Sequence, residues 1–213
     1  MEEDISKVLL VEGAGDKGVI TAILKEWNLS CPLINECGSD VEVFKSLKLY
    51  LSNPNLYKTI GVIVDADAHP KGRFQRFVQL AMASGWYDIS PKVTLLADGL
   101  ILNGIDSDAP RIGLWVMPDN CSHGMLEDFL TKMAETTCPN LLDESEYAIA
   151  HVEQRGVQQY TPAHRPKAKM HTYLAWQKEP GCTLPQAVMK HYLNASSDNA
   201  RPFVDWVKRL FWL

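Results

Sequence analysis

No run of apolar residues approaches the roughly 20 that a membrane-crossing helix needs, and the opening MEEDISK is acidic where a secretory leader would be basic. The expectation is a cytoplasmic chain with no membrane association. The five cysteines, Cys31, Cys37, Cys121, Cys138 and Cys182, are odd in number and nowhere spaced as C-x-x-C. Neither a disulfide framework nor a zinc knuckle is signalled, and reduced, partly buried thiols are expected. His69, His123, His151, His164, His171 and His191 show no metal-ligand spacing among themselves, although His69 and His123 lie close to acidic segments. Internal repeats and low-complexity stretches are missing too. So is a basic balance: the formal net charge is -5, which argues against broad, nonspecific wrapping of nucleic acid. It leaves room for an enzyme that reaches a phosphate through bound cations, because such ions reverse the local sign of a site.

With 213 residues, 46% of them apolar, the chain is long enough for one substantial core. Strand and helix signals alternate along its first two thirds. KVLLVE reads as a buried strand, and residues 16–27 read as a helix with Val19, Ile20, Ile23, Leu24 and Trp27 at helical spacing. CPLINEC is a short second strand. Ser39 and Glu42 then have the spacing of a capping box, opening a helix through Val43, Leu47 and Leu51. YKTIGVIVDAD is continuous in β-branched residues, as strands buried on both faces are. Two crossovers between the first and third strands favour a parallel sheet. A helix is expected over residues 72–83, two short strands joined at Asp98-Gly99 within KVTLLADGLILNGI, and another apolar strand in RIGLWVMPDN. From about Leu126 the chain reads as mostly helical, interrupted by a basic loop, TPAHRPKAK. The closing RPFVDWVKRLFWL puts Phe203, Trp206, Val207, Leu210 and Phe211 on one helical face, suited to core or dimer packing.

The glycine-flanked VEGAGDKG invites a nucleotide-binding reading, and the residues refuse it. A phosphate loop of the G-x-x-x-x-G-K-[ST] type fails because Val19 and Ile20 follow Gly18. A dinucleotide fingerprint fails because Glu12 stands at the strand tip, where an anionic pyrophosphate would lie. Three strands instead end in acids: Glu12, then Asp65 and Asp67, then Asp119. In an open α/β sheet the ligand crevice lies beyond the carboxyl ends of the strands. Two carboxylates about 4 Å apart repel by roughly 4 kcal/mol at an effective dielectric near 20, so a convergent set takes up protons or calls for cations. An all-oxygen cluster suits magnesium, manganese or calcium rather than zinc. Simpler roles compete at several positions: Asp16 and Asp119 suit a helix cap or turn, and Glu127 and Asp128 suit a solvated helix face.

A strand ending in VEG with an aspartate soon after, followed by a strand ending in DAD, resembles the Toprim domain of topoisomerases, DnaG-type primases and the overcoming-lysogenization-defect nucleases. LVEGAGDKGVI, VIVDADA, MPDN with GMLEDFL, and KAKMHTYLAW together resemble the Toprim-related DUF3226 family of bacterial proteins. The resemblance implies a mainly parallel Toprim-like α/β sheet flanked by helices, with a metal-binding core over residues 1–130. A helical C-terminal extension, residues 131–213, would pack on that core as one compact unit. It implies Mg2+ or Mn2+ as cofactor and a nuclease-like, phosphodiester-cleaving hydrolase acting on nucleic acid or another phosphoester. Glu12 matches the Toprim glutamate, a metal ligand or general acid/base, and Asp65 with Asp67 matches the metal-binding D-x-D pair. Asp16 sits where nuclease members carry a further acid, and Glu127 or Asp128 resembles their later acidic position. Asp119 joins the set as a strand-end acid. Lys167 and Lys169 are the candidates for the basic residue of catalysis. No tyrosine context suggests a topoisomerase, and an attached ATPase domain of the kind many of those nucleases carry is not expected. The alternative is a non-catalytic module that binds a metal together with a nucleotide or protein partner, and a homodimer through the C-terminal helix is a further expectation.

Overall fold

The apolar segments fold as one five-stranded sheet in a computed structural model that describes residues 6–211. The acidic opening at residues 1–5 and the closing pair at residues 212–213 lie outside the described residues. In chain order the elements are β1 (Lys7–Val11), α1 (Ala14–Glu26), β2 (Leu33–Glu36), α2 (Asp40–Leu51), β3 (Thr59–Asp65) and α3 (Pro70–Ser84). After them come β4 (Leu100–Leu102), β5 (Arg111–Met117), α4 (Leu126–Glu135), α5 (Pro139–Gln154), α6 (Arg165–Ala175), α7 (Leu184–Met189) and α8 (Arg201–Phe211). The sheet order is β2-β1-β3-β5-β4, parallel except for β4, which runs antiparallel to β5. The expected mixed α/β class, mostly parallel sheet, flanking helices and helical C-terminus are all present.

Both sheet faces are covered, which is why the strands read as continuous apolar runs. Along β1, Leu9 and Val11 join the core shared with α1, α4, α6 and α8, while Val8 and Leu10 face the core shared with α2 and α3. Residues on both sides of position 130 build the first of these cores. The chain leaves β1 through α1 on one face and returns through α2 on the other. The direction of winding therefore reverses between β1 and β3, and this is where α/β sheets open a crevice.

The apolar face of α8 is used for the core alternative: Phe203, Trp206, Val207, Leu210 and Phe211 are all fully buried within the chain. Its close approach is set by glycine. Gly61 on β3 and Gly113 on β5 are register partners, and a Cβ on Gly113 would lie 2.8 Å from Leu210 Cδ2. The helix thus settles into a notch where side chains would otherwise stand. Trp115, Phe129, Phe203 and Trp206 pack around that contact, with ring centroids 5.4–6.1 Å apart where they meet.

Four local expectations need correction. Only the second of the two strands expected around Asp98-Gly99 forms. Residues 92–97 are irregular, because Val93 and Leu95 fold down onto the α2/α3 core instead of pairing. The TPAHRPKAK loop is largely helical, since Pro166 falls in the first turn of α6, where its missing N–H costs nothing. Lys167 and Lys169 are therefore helix residues. Half of the capping box forms: Ser39 Oγ accepts from the Glu42 amide at 3.3 Å, but the Glu42 carboxylate is taken by Lys45. Among the described residues no disulfide forms, and Cys121 is exposed rather than partly buried. Among the described residues no helix is long and apolar enough to cross a membrane.

Candidate metal and phosphate site

The parallel register brings the tips of β1 and β3 side by side. Glu12 follows β1 directly, and its Oε1 accepts a hydrogen bond from the Asp65 backbone amide at 2.9 Å. Asp65 ends β3, and its Oδ1 accepts from the Leu126 amide at 2.9 Å, at the N-terminus of α4. Asp16, in the first turn of α1, reaches back to the Gly13 amide at 2.9 Å. It fills the simpler role of a cap while standing at the same opening. Glu127, beside Leu126, is only 6% exposed.

These four acids feel one another. Burial raises the pKa of Asp65 most, and the charges of Glu12, Asp16 and Glu127 raise it further, up to about 8. Burial also lifts Glu12, with Asp16 and Asp40 adding to the effect against the opposing Asp65 amide. Glu127 and Asp16 are raised by burial as well, while the charge of Lys167 pulls both down and that of His171 pulls Glu127 down. Among the described residues none of the four acids makes an ion pair.

The other three acids stand apart. Asp67 has a left-handed backbone (φ 50°) and exchanges two backbone hydrogen bonds with Gly124. Its half-exposed carboxylate pairs with Arg73 at 2.8 Å. Arg73 also holds Asp40 and donates to the Asp65 carbonyl at 3.1 Å. Asp119 organises a turn, accepting from the Ser122 amide at 2.7 Å and from Lys132 Nζ at 2.6 Å. Burial alone would raise its pKa, but the Lys132 ammonium and the turn amides bring it down to about 2. Asp128 caps α4 through the Met125 amide at 2.8 Å.

The two candidate lysines divide. Lys169 is paired with Glu146 on α5 at 3.0 Å, whereas Lys167 faces Asp16 and Glu127. His171, one turn further along α6, joins Lys167 and was not singled out by the sequence. The i, i+4 spacing of the two within KAKMH was the available signal. Arg73 and Asp40 were also missed, because neither lies at a strand end.

Among the described residues no group of three or more His, Cys, Asp or Glu side chains is arranged to hold a metal ion. Glu12 and Asp16 are each turned onto a backbone amide. The donor chemistry still fits a hard divalent cation: oxygen only, buried or partly buried, and, among the described residues, without an ion-paired cationic side chain.

The chain belongs to the DUF3226 family of proteins of unknown function, whose model matches residues 6–212. No curated protein and no solved structure matches it.

Proposed function

We propose that the chain is a Toprim-related, magnesium- or manganese-dependent enzyme that cleaves phosphodiesters, with its centre at the β1/β3 crevice. The observation that carries this reading is the set Glu12, Asp16, Asp65 and Glu127. Four partly or fully buried acids share one opening without an ion-paired cation among the described residues, and one of them is pushed up to about 8. A cluster this costly is a mark of functional sites. Glu12 and Asp65 would hold the ion, with Glu127 or Asp16 as further oxygen donors. A divalent cation bound there supplies polarisation of a phosphate and a lowered pKa for an attacking water.

The chain's own side chains have complementary tasks. Lys167, on the rim beside Asp16 and Glu127, offsets negative charge on an incoming phosphate. His171 adds a second basic group near Glu127. Arg73 holds the 65–67 segment through the Asp65 carbonyl and the Asp67 carboxylate, so it positions Asp65.

A second reading, a metal-binding module without turnover, is favoured by one observation. Asp67 is engaged by Arg73 and Lys169 by Glu146, which leaves the opening fewer free groups than the resemblance implies. Calorimetric titration with manganese, followed by incubation of labelled DNA and RNA oligonucleotides with manganese, separates the two. Binding with cleavage, both lost in Glu12→Gln, supports the enzyme, and binding without cleavage selects the module. A wild-type protein that takes up no manganese at millimolar concentration removes both.

A further inference from the structure

A cavity of about 870 Å³ lies at the N-terminal end of α3. It is framed by the start of α3, the irregular residues 94–95, and the turn after β5 at residues 120–123. The volume falls within the range of pockets that take small molecules, about 300–1,000 Å³. In a chain of net charge -5, no aspartate or glutamate lines it, while Lys71, His69 and His123 do. Pro70, Phe74 and Leu95 give its lining apolar surface, and Gln75 and Thr94 add polar groups. Among the described residues, the side chains of Lys71, His69, His123, Gln75 and Thr94 make no hydrogen bond or ion pair with another side chain. The cavity also adjoins the proposed centre, since His123 precedes Gly124, which is bridged to Asp67.

We infer that this cavity binds one nucleoside monophosphate unit, its base against Phe74 and Leu95 and its phosphate toward Lys71, His69 and His123. A planar, amphipathic group suits a lining that combines apolar side chains with unpaired hydrogen-bonding ones. A phosphate suits an acid-free, lysine-bearing margin. A sugar without phosphate would leave Lys71 unanswered, and inorganic phosphate would leave the apolar lining empty. The unit comes either from a free mononucleotide or from the phosphorylated end of a strand whose next linkage reaches the acidic opening. The inference supplies the substrate side of the proposed phosphodiester chemistry and rests on that reading for its meaning. Its binding test does not involve the metal.

The test is titration of the full chain in excess EDTA with thymidine 5′-monophosphate, thymidine, inorganic phosphate and a 5′-phosphorylated hexathymidylate, followed by calorimetry or ligand-observed NMR. The monophosphate is expected to bind at least about tenfold more tightly than thymidine or phosphate alone. Lys71→Glu and Gln75→Glu, both at exposed positions, should each weaken it by about tenfold while leaving the melting temperature unchanged. Glu12→Gln should bind it as the wild type does. Tighter binding of the hexamer than of the monophosphate assigns the strand end, and the reverse assigns the free nucleotide. The inference is overturned if the wild type binds neither phosphorylated probe, if the two pocket variants bind undiminished, or if Glu12→Gln abolishes binding in EDTA. Because EDTA removes the cation, failure here leaves the metal reading standing, and a chain that binds no manganese leaves this pocket standing.

Discussion

The backbone amide of Asp65 donates to the carboxylate of Glu12 at 2.9 Å, joining the tips of two parallel strands at the point where the chain reverses its winding. The contact holds two acids together that would otherwise separate. Burial raises both pKa values, the charges of Glu12, Asp16 and Glu127 add to it at Asp65 and those of Asp16 and Asp40 at Glu12, and the amide and Arg73 only partly offset the effect on Glu12. The main chain thus fixes an electrostatic conflict that a cation would resolve.

Charge-removing, shape-keeping variants distinguish the acids that share this opening from those that stand apart. Glu12→Gln and Asp65→Asn are expected to lower manganese affinity by at least about tenfold. Asp67→Asn, whose carboxylate is turned to Arg73, should change it by less than about threefold. Calorimetric titration of the three variants reads this directly, and equal losses in all three would bring Asp67 into the site.

Stability in chelator should depend on pH with a definite sign. Asp65 loses its proton near 3.8 in the unfolded chain and near 8 in the folded one. Between those values the native state holds more protons, so stability falls as pH rises. The contribution is fully present below 3.8 and lost above about 8. Asp65→Asn keeps an acceptor for the Leu126 amide and should flatten the decline, leaving a residual slope from Glu12, Asp16 and Glu127, which are also raised. The variant should therefore melt above the metal-free wild type at pH 8. Thermal melts from pH 5 to 8 that show parallel slopes for both proteins would refute the assignment.

How much of this was legible in the sequence follows from range. The strands ending at Glu12 and Asp65, and their parallel order, were readable because β-branched runs and two crossover helices are local patterns. What each acid touches was not readable. Asp119 and Asp65 both end apolar runs, yet one meets Lys132 from 13 residues away and the other Leu126 from 61. Gly61 and Gly113 carried a signal of close approach within strands, but only the fold shows that Leu210 and Phe211 arrive over Gly61 and Leu210 over Gly113. The irregular residues 92–97 had a strand-like composition, and packing of Val93 and Leu95 against the α2/α3 core overrode it.

Asp119 should prove structural. Asp119→Ala removes two turn amide bonds and the partly exposed Lys132 pair, a loss of about 1 kcal/mol. In a chain of this size that corresponds to roughly 2–4 °C. Differential scanning calorimetry should show the drop, with manganese affinity unchanged. A variant that melts like the wild type but loses metal would make Asp119 a ligand.

The two lysines of α6 should separate by their salt response. Lys167 faces the acidic opening, and Lys169 is tied to Glu146. A side chain that contacts a phosphate releases counterions, so its removal reduces the steepness with which oligonucleotide affinity falls as salt rises. With manganese present, Lys167→Ala should weaken binding of a short oligonucleotide and lower the magnitude of the log–log salt slope by about 0.7–0.9. Lys169→Ala should leave the slope unchanged and cost at most about 1 kcal/mol of stability, since its partner is 40% exposed. Fluorescence anisotropy across a salt series measures the slopes. If both variants keep the wild-type slope, Lys167 does not touch the substrate; if Lys169→Ala alone flattens it, the nucleic-acid path runs along α5 and away from the crevice.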